Sequence, residues 1–340
     1  MDPVWALRQV AFQLERAGEP TYRVRAFRSA AAVLAELTAD QIAARAANGT
    51  LTDLPGIGKS TAGVVVDALA GREPSYLAKV RAPVFGGQAM RARLKGDCHT
   101  HSDWSDGGSP IREMAEAARS LGHEWVVLTD HSPRLTVANG LSADRLRAQW
   151  DVVAELNVEL APFLVLTGIE VDILDDGSLD QDPDLLARLD LVVASVHSKL
   201  RMPEREMTER LLTAVSNPRV DVLGHCTGRL VVGKGRPEST FDAKAVFEAC
   251  REHGTAVEIN SRPERRDPPT RLLTLADELG CEFAIDSDAH APGQLEWVSY
   301  GCERAEELGI GPERVINTRS AAEVVARRRG TPGPGGRTTG

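Results

Sequence analysis

The sequence has no long apolar run, no closely spaced pair of cysteines and no overall excess of basic residues. No stretch reaches the roughly 18 consecutive apolar residues that a transmembrane helix needs, so no membrane partner is expected. The beginning of the chain lacks a basic segment followed by an apolar one, so no signal peptide is predicted. The five cysteines are far apart and form no C-x-x-C motif, which indicates reduced thiols and a cytoplasmic protein.

Charge is unevenly distributed along the chain. The net charge of −9 is not that of a basic protein that coats nucleic acid. Residues 1–82 contain ten Lys and Arg against eight Asp and Glu, a net of +2, so the remainder carries −11. With 340 residues, of which 42% are hydrophobic, the chain is long enough for two globular domains.

Residues 1–82 have the pattern of a small all-helical domain. Apolar residues recur at helical spacing in the first segment, and further helices are predicted over Tyr22–Leu37 and Asp40–Ala47. The stretch Leu54–Ala62, LPGIGKSTA, opens another helix. Its glycines permit a tight turn whose backbone N–H groups, at a helix N-terminus, would face an anion.

Two interpretations of this turn remain open. It is either a glycine turn between packed helices or a helix-hairpin-helix that grips nucleic-acid phosphates without reading bases. The second predicts DNA as a partner of residues 1–82, with nearby cations Arg23, Arg25 and Arg28. The candidate DNA-binding residues are Leu54, Gly56, Ile57, Gly58 and Lys59.

From Gly96 onward, short β-rich runs alternate with helical stretches. Residues 83–95 contain Pro and Gly-Gly and are predicted to be a linker, whereas the Gly- and Pro-rich segment 323–340 is predicted to be a disordered tail. Seven β-then-α units over 96–322 predict parallel strands with helical crossovers, most simply an α/β barrel. The predicted strands are the run before His99, Trp125–Thr129, Phe163–Thr167, Leu191–Ser195, Val220–Leu223, Ala256–Ile259 and Phe283–Asp286.

Side chains that bind metals recur where these strands end. His99 and His101 stand in H-x-H spacing, which places both on one side of an extended strand, and Asp106 follows. Because the C-terminal ends of parallel barrel strands meet at one rim, the set should converge there. The nine candidate metal ligands are His99, His101, Asp106, His131, Glu170, His197, His225, Asp288 and His290.

The number of ligands argues for several ions. Six of the eight histidines fall at the predicted rim, whereas His123 and His253 precede strands and are predicted to be surface or capping residues. A purely structural polar cluster would be costly to bury. At three to four protein ligands per catalytic ion, nine ligands suit three divalent ions, with a carboxylate bridging two of them.

These motifs resemble those of the PHP (polymerase and histidinol phosphatase) family over about residues 96–320. The resemblance implies a distorted seven-stranded α/β barrel with a trinuclear site. It implies one ion held by His99, His101, Glu170 and Asp288, a second held by Glu170, His197 and His225, and a third held by Asp106, His131 and His290. Zn²⁺ and Mn²⁺ are equally compatible with the oxygen ligand Asp106, and Fe²⁺ is a third candidate.

Residues 1–82 resemble the first helical domain of family X DNA polymerases, whose bacterial members carry a PHP domain. Only about 13 residues separate the two modules here, so there is no polymerase palm and DNA synthesis is excluded. Val64 stands where the Schiff-base lysine of some relatives would fall, which argues against lyase chemistry.

The predicted chemistry is hydrolysis of phosphate esters by a metal-activated hydroxide. Arg262 and Lys199, just past strand ends, are candidate catalytic cations for the non-reacting phosphate oxygens, although either is equally well explained as a solvated surface cation. Arg229, Arg265 and Arg266 would extend a track for a nucleic-acid backbone.

Three function hypotheses follow. The favoured one is a DNA phosphoesterase of repair, which cleans 3′ ends or acts as a 3′–5′ exonuclease. The alternatives are a small-molecule phosphatase of the histidinol-phosphatase type and a non-catalytic DNA-binding protein with structural metals. The ligand count disfavours the last, because a structural site needs only four ligands. A helix-hairpin-helix favours DNA over a small substrate.

Overall fold

The computed structural model describes residues 1–80 and 83–328. The chain divides into two compact units. The first comprises Met1–Val84 with Pro292–Gln294, and the second comprises Phe85–Ala291 with the described residues from Leu295 onward. Within the described residues, no helix is long and apolar enough to cross a bilayer.

The first unit is helical, and two of the four helices described in it begin at side chains that cap them. Its helices are α1 (Pro3–Arg16), α2 (Thr21–Ala35), α3 (Ala39–Ala47) and α4 (Lys59–Leu69). The Asp2 carboxylate accepts the Val4 N–H at 2.9 Å at the start of α1. Thr38 and Gln41 form a capping box at the start of α3. One apolar face of each helix is buried in a shared core, which includes Leu7, Leu14, Phe27, Ile42 and Val64.

The second unit contains seven parallel strands in sequence order. They are β1 (Gly96–Thr100), β2 (Trp125–Leu128), β3 (Leu164–Asp172), β4 (Leu191–Ser195), β5 (Val222–Leu223), β6 (Ala256–Asn260) and β7 (Phe283–Asp286). β7 returns to β1, where the His101 N–H donates to the Ala289 carbonyl at 2.8 Å. The predicted seven-stranded barrel is confirmed, in nearly closed form.

In the described part of the second unit, six helices connect these strands, one helix precedes β1 and two follow β7. They are α5 (Gln88–Arg91), α6 (Ile111–Ser120), α7 (Ala143–Leu160), α8 (Pro183–Leu186), α9 (Glu204–Val215), α10 (Ala243–His253), α11 (Thr270–Glu278), α12 (Val298–Glu307) and α13 (Ala321–Arg328). Val126 and Leu128 of β2 pack with residues of α6 and α7. The alternate residues Trp125 and Val127 pack instead with other strands and with Ile316. Because neighbouring side chains of a strand face opposite ways, this second set fills the barrel interior.

Several predicted bounds were wrong. α13 includes residues 323–328 of the predicted disordered tail, because Val324 is buried and Arg327 pairs with Glu282 at 3.0 Å; residues 329–340 lie outside the described part. The predicted linker includes α5, where Met90 is buried. β3 extends to Asp172, so Glu170 lies within the strand instead of after it.

Candidate metal centre

The nine predicted ligand side chains meet at the rim of the barrel, defined here as the end where the strands terminate. Glu170 is almost fully buried at the middle of this cluster. Its carboxylate lies close to five imidazoles, at 2.9 Å from His225 Nε2, 3.0 Å from His131 Nδ1, 3.2 Å from His197 Nε2, 3.3 Å from His99 Nε2 and 3.6 Å from His101 Nε2. The bridging position predicted for Glu170 is compatible with this geometry.

The two other carboxylates lie on either side of His101 and His290. Asp288 Oδ1 is 3.5 Å from His101 Nε2 and 3.6 Å from His290 Nδ1. Asp106 Oδ1 is 3.4 Å from His290 Nε2 and 3.5 Å from His131 Nε2. Asp106 is the most exposed of the three carboxylates, so the cluster opens to solvent on its side.

The potential ligand atoms form three groups, and within each group all of them lie within 4.8 Å of one another. The groups are His99 with His101 and Glu170, then His131 with Glu170 and His197, and then His101 with Asp106, His131 and His290. They contain seven of the nine predicted ligands, without His225 and Asp288, and they share His101 and His131 between groups. The assignment of individual ligands to individual ions therefore stays a prediction.

The hydrogen bonding of the imidazoles fits bound cations. His99 Nε2 and both ring nitrogens of His101 are buried and have no hydrogen-bond partner within the described part of the chain. A buried polar atom without a partner costs free energy, so native structures usually satisfy such atoms. Imidazole nitrogens beside carboxylate oxygens are ligands for Zn²⁺, Mn²⁺ or Fe²⁺, and such an ion would satisfy them.

The electrostatics of the cluster favour a cation. Burial would lower the pKa of His99, but Glu170 and Glu258 raise that pKa well above its ordinary value. Burial would raise the pKa of Asp288, but Arg262 and His99 hold it well below its ordinary value. Burial would likewise raise the pKa values of Glu170 and Asp106, but neighbouring imidazoles lower them, so these three carboxylates are ionised and their field stabilises positive charge. Burial and the neighbouring His290 lower the pKa of His101, which keeps that imidazole neutral and able to coordinate.

A second layer of polar side chains orients the candidate ligands, and the sequence analysis missed it. Glu258 Oε1 lies 2.6 Å from His99 Nδ1, and the same carboxylate accepts the His225 backbone N–H. Asp172 contacts His197 Nδ1. Asn260 donates to Asp288 Oδ2 at 3.0 Å. Partners of this kind fix ring orientation and raise ligand basicity. Alternating polar residues within an otherwise apolar buried strand, as in β6, were the available signal.

Of the two predicted catalytic cations, only Arg262 lies at the cluster. Arg262 Nη1 is 3.1 Å from His290 Nδ1 and 3.5 Å from Asp288 Oδ1. Arg265 is also there, with Nε 3.3 Å from Asp288 Oδ2, and two of its buried guanidinium nitrogens lack hydrogen-bond partners within residues 1–80 and 83–328. Lys199 is 65% exposed and pairs with Asp175.

Of the remaining arginines of the predicted track, Arg266 is exposed and Arg229 has an internal role. Arg229 donates to the Arg265 carbonyl at 3.1 Å and to the Arg266 carbonyl, so it fixes the loop after β6.

The two histidines outside the predicted ligand set were both expected to be surface or capping residues, and the structure agrees for only one of them. His253 is exposed in the last turn of α10, but His123 is buried, with Nε2 3.3 Å from Arg91 Nη2.

The predicted DNA-binding turn connects α3 to α4 in the first unit. Gly56 has a φ of +81°, which a glycine adopts without strain. Ile57 is buried in the helical core, and the Thr61 hydroxyl accepts the Gly58 N–H at 2.9 Å. Leu54 packs against the same core, while Lys59 is exposed at the start of α4. Val64 is buried.

Two of the cations near this turn are already paired. Arg28 is held by Glu15 at 2.9 Å, and Arg23 pairs with Glu19 and donates to the Tyr76 hydroxyl at 3.0 Å. Arg25 is exposed, as Lys59 is. Of the three arginines that the sequence associates with this turn, Arg23 and Arg28 are therefore engaged within the helical unit.

Comparison with known proteins identifies both units. The family model of the PHP domain matches residues 97–262, and that of a helix-hairpin-helix domain matches residues 1–73. A probable phosphatase of Caldanaerobacter subterraneus is 30% identical over 241 residues, which cover 67% of this chain and 89% of that protein. The chain belongs to the PHP family of phosphoesterases, hydrolases that act on phosphate-ester bonds.

Two further relatives differ in how much of them this chain covers. The DNA polymerase/3′-5′ exonuclease PolX of Bacillus subtilis is 42% identical over 234 residues, or 69% of this chain, but the match spans only 41% of that protein. A crystal structure of histidinol phosphate phosphatase from Lactococcus lactis, complexed with zinc, L-histidinol and phosphate, matches 63% of this chain and 92% of that one. The identity is 20% and the TM-score is 0.47.

Proposed function

We propose that this chain is a metal-dependent phosphoesterase that processes DNA 3′ ends, by 3′-end cleaning or 3′–5′ exonuclease action in repair. The observation that carries the proposal is that one chain combines a cluster of nine side chains able to bind metal ions with a helix-hairpin-helix domain. The 42% identity to a protein named as a polymerase and 3′-5′ exonuclease supports it. Residues 1–82 hold DNA in this proposal, and residues 96–322 carry out the hydrolysis.

The nine rim residues hold up to three divalent ions, Zn²⁺ or Mn²⁺, with Fe²⁺ as a further candidate. Such ions lower the pKa of water to near neutrality and neutralise charge that develops on the phosphoryl oxygens. Glu258, Asp172 and Asn260 keep the ligands in one orientation through the hydrogen bonds described above. No side chain of the cluster has to act as a covalent nucleophile.

Arg262 and Arg265 bind the phosphate oxygens that do not react. Both guanidinium groups border Asp288, and the buried Arg265 Nη1, which has no hydrogen-bond partner within the described residues, suits a phosphate oxygen. The predicted catalytic role of Lys199 stays a prediction. Its ammonium would have to leave Asp175 to reach a substrate in the cluster.

The helical unit binds the DNA backbone through the turn that contains Gly56 and Lys59. With one exposed lysine at the helix start, a single hairpin contacts only a few phosphates. Binding is therefore modest, independent of base sequence and weakened by salt.

A small-molecule phosphatase is the second candidate. Two relatives named as probable phosphatases favour it, because the match with this chain spans 89–91% of their length. A phosphatase for a small cationic substrate has no need of a helix-hairpin-helix, and it needs a carboxylate to pair with the amine. The loop after β6 instead presents Arg262 and Arg265.

A side-by-side kinetic comparison tests the proposal. One Mn²⁺-loaded preparation is assayed on 3′-labelled DNA and on histidinol phosphate, with Asp288→Ala as the inactive control. We expect kcat/KM on DNA to exceed that on histidinol phosphate by at least about tenfold, or about 1.4 kcal/mol in transition-state binding. A higher kcat/KM on histidinol phosphate would refute the DNA proposal. Lys59→Glu should lower kcat/KM on long DNA but not on a small chromogenic phosphodiester.

A further inference from the structure

A small hairpin follows β5 at the rim and has no role in the mechanism above. Leu230 and Arg236 form an antiparallel pair, with N–O distances of 3.0 and 2.9 Å, which closes a loop over Val231–Gly235. Gly233 and Gly235 have φ of +71° and +66°, so the chain reverses tightly. We call Leu230–Arg236 the rim hairpin.

The rim hairpin is fastened to the loop that carries the phosphate-binding arginines. The Val231 N–H donates to the Glu264 carbonyl at 2.7 Å. The Glu264 carboxylate in turn accepts from Arg262 Nη2 at 2.9 Å, and Arg262 borders Asp288. A chain of contacts through Glu264 and Arg262 thus connects the hairpin to the candidate metal centre.

The hairpin presents aliphatic side chains to solvent. Val231 is 50% exposed and Val232 is 61% exposed, side by side at the tip. Single exposed apolar residues are common on protein surfaces and need no explanation. Two adjacent valines, on a short glycine-containing loop beside a metal-type cluster, form a small apolar surface where a substrate would arrive.

The charges around these valines are positive. Lys234 is exposed and makes no hydrogen bond or ion pair with any residue that the structure describes. Arg236 donates to the Gly228 carbonyl at 2.5 Å, and this neutral acceptor does not cancel the positive charge that Arg236 places on the hairpin. The nearby acid Glu238 is neutralised by Arg229 at 3.5 Å and by Arg271. The tip therefore combines an apolar surface with an uncompensated cation.

We propose that the rim hairpin is a wedge that opens the end of duplex DNA. Val231 and Val232 pack against the terminal base pair while Lys234 contacts a backbone phosphate, and the freed 3′ nucleotide enters the metal centre. Proteins insert apolar side chains between base steps in this manner. The inference rests on the proposed function, because it concerns the same substrate at the same site.

The size of the surface favours a base pair over a protein partner. A stable protein interface buries about 800 Å² on each partner, which two valines on a five-residue loop cannot supply. The face of one base pair is small and flat, and its flanking phosphates match Lys234. A small phosphomonoester would gain nothing from these side chains.

The test uses the Val231→Ser/Val232→Ser double variant of the full chain. Val158→Ser is the matched control, because Val158 is 82% exposed near the C-terminal end of α7, which leads into the start of β3 and so lies opposite the rim. The probes are a blunt duplex with 2-aminopurine at its 3′ terminus and a single strand of the same sequence.

The first readout is 2-aminopurine fluorescence with metal-free protein, which reports opening of the terminal pair without hydrolysis. We expect wild type and Val158→Ser to raise the fluorescence of the duplex at least about twofold, and the double variant to leave it unchanged. Lys234→Ala should weaken duplex binding and reduce its salt dependence. Equal fluorescence for wild type and the double variant, or no rise with wild type, would overturn the wedge.

The second readout is hydrolysis with Mn²⁺. We expect the double variant to process the duplex at least about tenfold more slowly than wild type and the single strand at the wild-type rate. Equal loss on both substrates would also refute the wedge. If wild type hydrolyses neither DNA, the proposed function fails, and the fluorescence result still decides whether the hairpin opens DNA ends.

Discussion

The carboxylate of Glu258 offers a direct test of the candidate metal centre, because it contacts two candidate ligands and is not itself one of the predicted nine. Its side chain is completely buried. One oxygen lies 2.6 Å from His99 Nδ1, and the other accepts the backbone N–H of His225. Glu258→Gln keeps the shape of the side chain and removes its charge.

The magnitude follows from these contacts. The amide oxygen of glutamine can satisfy only one of the two positions, and its NH₂ group would face a donor at the other. Loss of a second-layer carboxylate lowers metal affinity by about 10- to 100-fold. That factor corresponds to about 1.4–2.7 kcal/mol. The stability of the metal-loaded protein includes the free energy of metal binding, so the metal-free protein should lose less stability than the metal-loaded protein.

The assay is Zn²⁺ affinity measured by competition with a chromophoric chelator, together with thermal unfolding of metal-free and metal-loaded protein. Asp190→Asn is the matched control. Asp190 accepts the backbone N–H and the hydroxyl of Thr167 at 2.9 Å and precedes β4, so it lies at the barrel end opposite the rim. Unchanged affinity in Glu258→Gln, or an equal loss in Asp190→Asn, would refute the proposed role.

Three further predictions concern other parts of the chain. Burial and Arg91 lower the pKa of His123 to about 3, so the unfolded state, with a pKa near 6.5, binds more protons and stability falls as pH decreases between these values. Between pH 7 and pH 5, the free energy of unfolding measured with urea should fall by about 2 kcal/mol less in His123→Gln than in wild type. Parallel pH profiles of the two proteins would contradict this prediction. Protein reconstituted with Mn²⁺ or Zn²⁺ should contain more than one metal equivalent by elemental analysis, and less than one equivalent would refute a multinuclear centre. The Asp288→Ala variant should lower kcat/KM at least about a hundredfold while its circular dichroism spectrum stays unchanged. Arg28→Ala should destabilise the helical unit by about 3 kcal/mol, because it leaves the buried Glu15 carboxylate without its guanidinium, whereas Arg25→Ala should change stability by less than about 0.5 kcal/mol.

The candidate ligands could be found from the sequence because of how parallel barrels are built. Each ligand follows or ends a recognisable β-rich segment, and parallel topology takes all seven strand ends to one rim. His99 and Glu170 are 71 positions apart, yet their side chains approach to 3.3 Å. Register within the sheet was not needed for this prediction, since the order of strands and the type of side chain at each end were sufficient.

The interactions among charged side chains could not be found in the same way. Arg28 and Arg25 look alike in the sequence, but only Arg28 faces Glu15 across two helices. His123 precedes a strand, as a surface residue often does, yet the packing buries it beside Arg91. A pairing of this kind depends on distances between elements that local periodicity does not specify.

The sequence by itself determined the order of the seven strands, the end of the barrel where side chains able to bind metals gather, and the identity of the nine candidate ligands. These follow from local periodicity and from a topology with few alternatives. Only the tertiary structure decided that Glu258 supports His99, that Arg265 joins Arg262 beside Asp288, and that Lys199 pairs with Asp175. The physical reason is that β1 and β6 meet across the barrel interior only when the barrel closes, and side-chain contacts over 159 positions of sequence depend on that closure.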